Sequence, residues 1–130
     1  MSVPLGHTDT DSTTCLHVPS IGLVVAGDAA YNDVHLDLGE SNAATRKEWI
    51  AALDTIESLK PVAVVAGHKR PNATDTPNIV EETRKYIRDF DRIVVNSGTA
   101  LELYKQMLTL YPKRVNPAVL WNSSRAAFQN

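Results

Sequence analysis

Two short apolar runs constrain the fold of this chain more than any other feature. They are IGLVVA at 21–26 and VAVVA at 62–66, and both carry apolar residues at odd and even positions. Because side chains alternate between the two faces of a strand, both faces of the predicted sheet are expected to be buried. A glycine follows each run, so we predict that the strands end at Gly27 and Gly67.

The remaining segments predict one further strand and four helices. Residues 13–18 are rich in β-formers and precede a Pro-Ser turn, which predicts a hairpin with 21–26. Residues 29–41 are predicted to be a loop, and apolar spacing over 43–59 predicts a helix capped by Ser41 or Asn42. Later helices are predicted to begin at Pro77 with Thr76 as cap, after a break at Gly98 with Thr99 as cap, and near Asn116 and Pro117. The predicted order is β–β–α–β–α–α–α, in a mixed α and β (α/β) class.

Length and composition bound the class of protein. The chain has 130 residues and a formal net charge of −2, which suits one domain over residues 1–130. Its basic residues are scattered, so no nucleic-acid-binding face is expected. It lacks an apolar run of about twenty residues and a secretory signal, so no membrane association is expected. One cysteine excludes an internal disulfide. These features favour a soluble cytoplasmic protein.

Three residues share a setting that suits metal chemistry. His7 precedes the first predicted strand, Asp28 follows the second and His68 follows the third, and each comes directly after a glycine. Imidazole and carboxylate ligands suit zinc, iron or manganese, and the two oxygens of Asp28 can bridge two ions. A single Gly-His or Gly-Asp pair is common and reads as a surface or turn residue. The ordered set of three is the informative pattern.

Other polar residues near these positions are weaker candidates. Tyr31, Asn32 and His35 lie just beyond Asp28, where they would contact a substrate or be solvated loop residues. Lys69 follows His68 and would either attract an anionic substrate group or be an exposed lysine.

The segments GHTDTDS, LVVAGD, YNDVH, WIAALDTIESLKP and VVAGHKRP, with the tail ALELYKQMLTLYPKRVNPAVLW, resemble the metallo-β-lactamase superfamily. The resemblance covers nearly the whole chain and is closest to metallohydrolases without an assigned substrate. It implies that His7 is a ligand of the first metal, that Asp28 bridges the metals and that His68 completes the second. It implies hydrolysis of an ester, lactone or amide bond in a small-molecule substrate. On this interpretation, Asp9 and Asp11 orient His7 or cap its loop.

The resemblance is to only part of the superfamily fold, which is an αββα sandwich of two similar halves. The first half carries an HxHxDH motif, and no three of the four histidines of this chain can form it. We therefore expect the C-terminal half alone: half of an αββα sandwich, with helices on one face of a mixed sheet. Two ligands for each ion, one of them shared, predict weakly bound or absent zinc and little or no activity by the isolated chain.

These expectations leave two functions and several arrangements open. The chain is either part of a metal-dependent hydrolase or a non-catalytic folded remnant or protein-interaction subunit. In half of a sandwich, one face of the sheet would be bare. We therefore expect a homodimer or a complementary N-terminal half, with C-terminal helices folded back over that face as the competing outcome.

Overall fold

In the computed structural model, which describes residues 1–129, the chain forms a mixed sheet flanked by helices. Its strands are β1 (Ser2–Gly6), β2 (Thr13–Val18), β3 (Leu23–Asn32) and β4 (Ala63–Lys69), and a short 3-10 turn, Pro19–Ile21, joins β2 to β3. Its helices are α1 (Ala43–Ser58), α2 (Asn78–Val94), α3 (Ala100–Leu110) and α4 (Pro117–Ala127). The predicted class and the order of the predicted elements are confirmed. Strand β1 is an addition to them.

The sheet has the order β1–β2–β3–β4 and is mixed. The pairs β1/β2 and β2/β3 are antiparallel, whereas β3/β4 is parallel and is connected through α1. Val24 lies opposite Val64 in the register, and both are fully buried. The neighbouring pair Val25 and Val65 is only partly buried. This alternation confirms the prediction that the helices lie on one face of the sheet.

Two strands extend further than the sequence predicted. β3 continues through Asp28 to Asn32, and β4 continues through His68 to Lys69, because the two strands pair again beyond a register shift at Gly27. Gly27 has a φ of 57°, a conformation that glycine adopts without strain and that the irregular pairing requires. The predicted loop at 29–41 is therefore wrong for its first four residues. Asp28 and His68 lie inside strands rather than after them.

The predicted helix starts are largely confirmed by their caps. The Asn42 side chain accepts a hydrogen bond of 2.9 Å from the Thr45 amide, and the Thr45 hydroxyl in turn accepts from the Asn42 amide. Thr99 caps α3 by accepting from the Glu102 amide at 3.2 Å. Helix α2 begins at Asn78, one residue later than predicted, and its N-cap is Pro77 rather than the predicted Thr76. These caps satisfy backbone donors that the first turn of a helix leaves free.

The core lies between the sheet and helices α1 and α2. Trp49 of α1 is fully buried, and its indole N–H donates to the Ala29 carbonyl at 2.8 Å. Phe90 and Tyr86 of α2 are also fully buried. The core thereby holds the far end of β3 in place. Within residues 1–129, no helix combines the length and the apolar character that crossing a membrane requires.

Candidate functional site

Asp28 and His68 lie side by side on the adjacent parallel strands β3 and β4. The His68 Nε2 is 3.2 Å from the Asp28 Oδ1. The Asp28 side chain is 50% exposed and the His68 side chain is 52% exposed. The close approach depends on Gly67, because a Cβ at that position would stand 2.2 Å from the Asp28 Oδ1. An imidazole and a carboxylate, both open to solvent, form a pair of donors suited to a metal ion.

The buried ring of Tyr31 packs against the His68 ring of this pair. Its ring stacks on the His68 ring with centroids 5.0 Å apart and an interplanar angle of 20°, as expected from their pairing in the register. Tyr31 is buried, and burial raises the pKa of its phenol above the ordinary range, with the nearby carboxylate of Asp9 adding to the effect. The phenol therefore keeps its proton at neutral pH.

A cavity of about 210 Å³ adjoins the pair and is rich in polar groups. Its walls contain three carboxylates, two imidazoles and a phenol, together with smaller contributions from a loop and α4: Asp9, Asp28, Tyr31, Val34, His35, Asp37, His68, Asn116 and Val119. Burial raises the pKa of Asp9, and the neighbouring carboxylate of Asp28 raises it further. Like charges so close together favour a bound cation or partial protonation.

His7, the third predicted ligand, lies directly after β1. Its Nε2 is buried and has no hydrogen-bond partner among the described residues, and His7 is absent from the cavity walls. Within residues 1–129, no three or more side chains of His, Cys, Asp or Glu are grouped so as to hold a metal ion. The structure thus brings Asp28 and His68 together and leaves His7 outside that pair.

The four weaker candidates divide into two groups. Tyr31 and His35 line the cavity. Asn32 is buried and donates from its side-chain amide to the Thr74 carbonyl at 2.7 Å. The Lys69 ammonium lies 3.0 Å from the Asp75 carboxylate. Asn32 and Lys69 are therefore engaged with the loop that follows β4.

Two residues that line the cavity, Asp9 and Asp37, were not predicted as site residues from the sequence. Asp9 was interpreted as a residue that orients His7, and Asp37 lay within the predicted loop. The available signal was the density of aspartates in GHTDTDS and in YNDVHLD. It carries little weight alone, because aspartates are frequent in solvated loops.

His35 is a buried histidine at the back of the cavity. Its Nδ1 lies 2.9 Å from the Tyr86 hydroxyl, and its Nε2 has no partner among the described residues. Burial lowers the pKa of His35 from its ordinary value of 6.5 to about 4, and the nearby Arg114 guanidinium contributes to the decrease. The imidazole is therefore neutral at pH 7.

His35 is expected to make the folding stability depend on pH. Because its folded-state pKa lies below the unfolded value, its contribution is complete above about pH 6.5 and is lost as the pH falls toward 4. Between pH 7 and pH 5 we expect the free energy of unfolding to fall by about 2 kcal/mol through this group. Urea unfolding at both pH values measures the loss. A His35→Gln variant, which cannot titrate, should lose that much less, and equal losses in the two proteins would contradict the assignment.

A Gly67→Ala substitution is expected to disrupt the Asp28–His68 pair. The new methyl group would meet the Asp28 Oδ1 at 2.2 Å and the Gly27 carbonyl carbon at 2.9 Å. The carboxylate must turn away, and the backbone contact should cost about 1–3 kcal/mol of stability. Urea unfolding and the NMR shifts of the His68 ring test this. Gly98→Ala is the matched control, since its nearest neighbour would be the flexible Glu102 side chain at 3.4 Å. If both variants behave alike, the close packing at Gly67 has no role.

Among known proteins, the chain matches solved structures and no sequence family. No protein-family model matches the sequence, and no curated protein matches it. A metallo-beta-lactamase family protein from Thermus thermophilus aligns with 97% of this chain and 42% of its own chain, at 21% identity and a TM-score of 0.65. A beta-lactamase domain protein from Burkholderia ambifaria aligns with 97% of this chain and 39% of its own, at 16% identity and a TM-score of 0.60.

These matches define the fold of the chain. Residues along almost the whole sequence adopt a fold present in metallo-beta-lactamase family proteins, and the chain spans about two fifths of the length of the two structures it matches. The fold is therefore that of part of a metallo-β-lactamase domain, in agreement with the resemblance in the sequence.

Proposed function

We propose that this chain contributes part of the metal centre of a metallo-β-lactamase-like hydrolase acting on an ester, lactone or amide. The observation that carries the proposal is the Asp28–His68 pair, with the Nε2 and Oδ1 atoms 3.2 Å apart on adjacent strands. The partial match to metallo-beta-lactamase family structures supports it. In this proposal His68, Asp28 and His7 would be the residues of this chain that hold the metal, which would activate a water molecule for hydrolysis.

The described residues fit such a metal site only in part. The unpartnered, buried Nε2 of His7 suits a metal ligand. Yet the part of the chain that the structure describes holds no group of three donor residues, whereas a catalytic zinc ordinarily has three protein ligands. The remaining ligands must therefore come from another polypeptide segment. Zinc is the proposed ion, with iron or manganese as alternatives.

Gly67 and Tyr31 would help to position the two proposed metal ligands, Asp28 and His68. Gly67 leaves room for the Asp28 carboxylate, and Tyr31 stacks on His68 and fixes the plane of its imidazole. The protonated Tyr31 phenol is available as a hydrogen-bond donor to a bound oxygen.

A second candidate function is a non-catalytic folded module that acts through protein contacts. The observation that favours it is the lack of any three-donor group within residues 1–129. The two candidates differ in what happens when the missing ligands are supplied. A hydrolase part gains metal and activity, whereas a non-catalytic module gains neither.

Metal retention tests the proposal. We expect the isolated chain to keep well below one zinc per molecule after dialysis against metal-free buffer and to show no turnover of a lactone or β-lactam. Adding a polypeptide that carries the HxHxDH segment of the superfamily should restore both zinc retention and turnover. His68→Ala should reduce the gain in zinc by mainly weakening one of the two ions, and His17→Ala, a matched change in β2, should leave the gain intact.

Two results would contradict the proposal. Near-stoichiometric, tightly held zinc in the isolated chain would show that no external ligands are needed. Failure of the added segment to raise zinc retention, despite forming a complex, would favour the non-catalytic module.

A further inference from the structure

His35 has one ring nitrogen engaged with the core and one left without a partner. Its side chain lines the cavity beside the Asp28–His68 pair, and its Nδ1 lies 2.9 Å from the hydroxyl of Tyr86 in the core. Its Nε2, on the side of the ring away from Tyr86, is buried and has no hydrogen-bond partner among the described residues. A buried polar atom without a partner is costly, so we expect a bound group to supply one.

The tautomer of His35 is assigned from its contact with Tyr86. Burial raises the pKa of the Tyr86 phenol, so the hydroxyl keeps its proton, and the Leu36 backbone already hydrogen-bonds to its oxygen. The hydroxyl therefore donates its proton to the His35 Nδ1. Because a neutral imidazole carries a single proton, that proton lies on Nε2. His35 thus offers the cavity a hydrogen-bond donor.

The N-terminus of α4 lies beside His35. Val34 pairs with Val115, and the His35 amide donates to the Val115 carbonyl at 2.9 Å, which holds the segment before α4 in place. Asn116 and Val119 at the start of this helix line the same cavity, and no side chain caps the helix. The first turn of an uncapped helix carries free amides and a partial positive charge, so it favours an electron-rich oxygen.

The carboxylates of the cavity restrict the charge of the group that these donors can bind. Asp9, Asp28 and Asp37 all line the cavity, so a carboxylate ligand would be repelled. Asp9 and Asp37 are not among the proposed metal ligands, and their charges remain when the metal centre is complete. His35 is neutral and adds no positive charge of its own. An uncharged carbonyl oxygen accepts hydrogen bonds without this repulsion.

We propose that His35 and the N-terminus of α4 form a subsite for an uncharged carbonyl oxygen, which selects neutral substrates over anionic ones. The selection of substrates rests on the proposed hydrolase function. Among esters, lactones and amides, those that carry a free carboxylate would be disfavoured. The subsite contains none of the proposed metal ligands, so its binding of a carbonyl compound is measurable without metal.

NMR on the intact, metal-free chain tests the subsite without requiring activity. With ¹⁵N-labelled histidine we expect the Nε2–H tautomer of His35, and γ-butyrolactone should shift its Nε2 signal until the site is saturated. Butyrate, an anion with the same number of carbons, should bind at least about tenfold more weakly.

Substitutions at His35 separate the donor from the shape of the ring. His35→Gln keeps an N–H donor and should retain lactone binding, followed through the amide signals of the first turn of α4. His35→Leu should weaken binding by at least about tenfold, because it removes the donor. His17→Leu is the matched control in β2 and should leave the affinity unchanged.

Several results would overturn the subsite, and the first three need no variant. They are an Nδ1–H tautomer of His35, butyrate binding as tightly as the lactone, and an Nε2 signal that no lactone concentration shifts, which would assign an ordered water to Nε2. An unchanged lactone affinity in folded His35→Leu protein would do the same. Failure of the HxHxDH segment to raise zinc retention would instead contradict the proposed function and leave the subsite intact.

Discussion

Replacing Asp28 with alanine is expected to release both ions from the metal centre proposed for this chain and a complementary segment, and to lower the proposed hydrolysis by more than about a hundredfold. The physical reason is that a carboxylate between two cations serves both ions and offsets their mutual repulsion. The Asp28 carboxylate lies 3.2 Å from the His68 ring and is half exposed, so it is accessible from solvent. Metal analysis after dialysis, together with turnover of a lactone, measures the effect.

Single substitutions of the histidines separate bridging from ordinary ligation. His68→Ala and His7→Ala should each mainly weaken the binding of one ion. Asp11→Ala is a suitable control, because Asp11 is exposed and its carboxylate accepts only the Ser12 amide within the described residues. An Asp28→Ala assembly that keeps two tightly bound ions would contradict the bridging role.

Trp49→Ala is expected to cost about 3–5 kcal/mol of folding stability, which is a large part of the total stability of a typical domain. The indole is fully buried and donates to the Ala29 carbonyl at 2.8 Å, so the substitution leaves both a cavity and an unsatisfied acceptor. Urea unfolding measures the loss. Trp121→Ala provides the matched change, because Trp121 is partly exposed on α4 and should cost much less. Similar losses for the two variants would contradict the assignment of Trp49 to the centre of the core.

The Trp49→Ala substitution should also affect the Asp28–His68 pair. The Trp49 ring lies 6.1 Å from the Tyr31 ring, and the Tyr31 ring stacks on His68. Losing the indole removes the support behind Tyr31, so the His68 ring should become more mobile in any Trp49→Ala protein that remains folded. NMR line widths of the His68 ring report this mobility.

The elements that the sequence predicted well are those specified by local chemistry. Helix α1 begins directly after its cap, Asn42, because the side chains of Asn42 and Thr45 each accept a hydrogen bond from the other residue's backbone amide. The predicted break between α2 and α3 lies within residues 95–99, which include Gly98, and Thr99 caps the new helix. The hairpin of β2 and β3 follows from two β-rich runs separated by a short turn. Each of these features depends on residues only a few positions apart.

The features missed by the sequence depend on pairing between distant segments. Strand β1 has no strong β pattern, and it forms because residues such as Val3 pair with Cys15 on β2. The extension of β3 and β4 depends on a register shift at Gly27 that allows Tyr31 to pair with His68. No periodicity within either segment reveals this second region of pairing.

The sequence by itself determined the class of the fold and the order of most of its strands and helices, but it placed Asp28 and His68 after strands that in the structure contain them. Only the tertiary structure decided which polar residues share one cavity. It placed Asp9 and Asp37 beside Asp28 and His68, and it directed Asn32 and Lys69 toward Thr74 and Asp75. The physical reason is that propensity and alternation act over a few residues, whereas the direction of a side chain depends on strand register and on packing against segments far away in the chain.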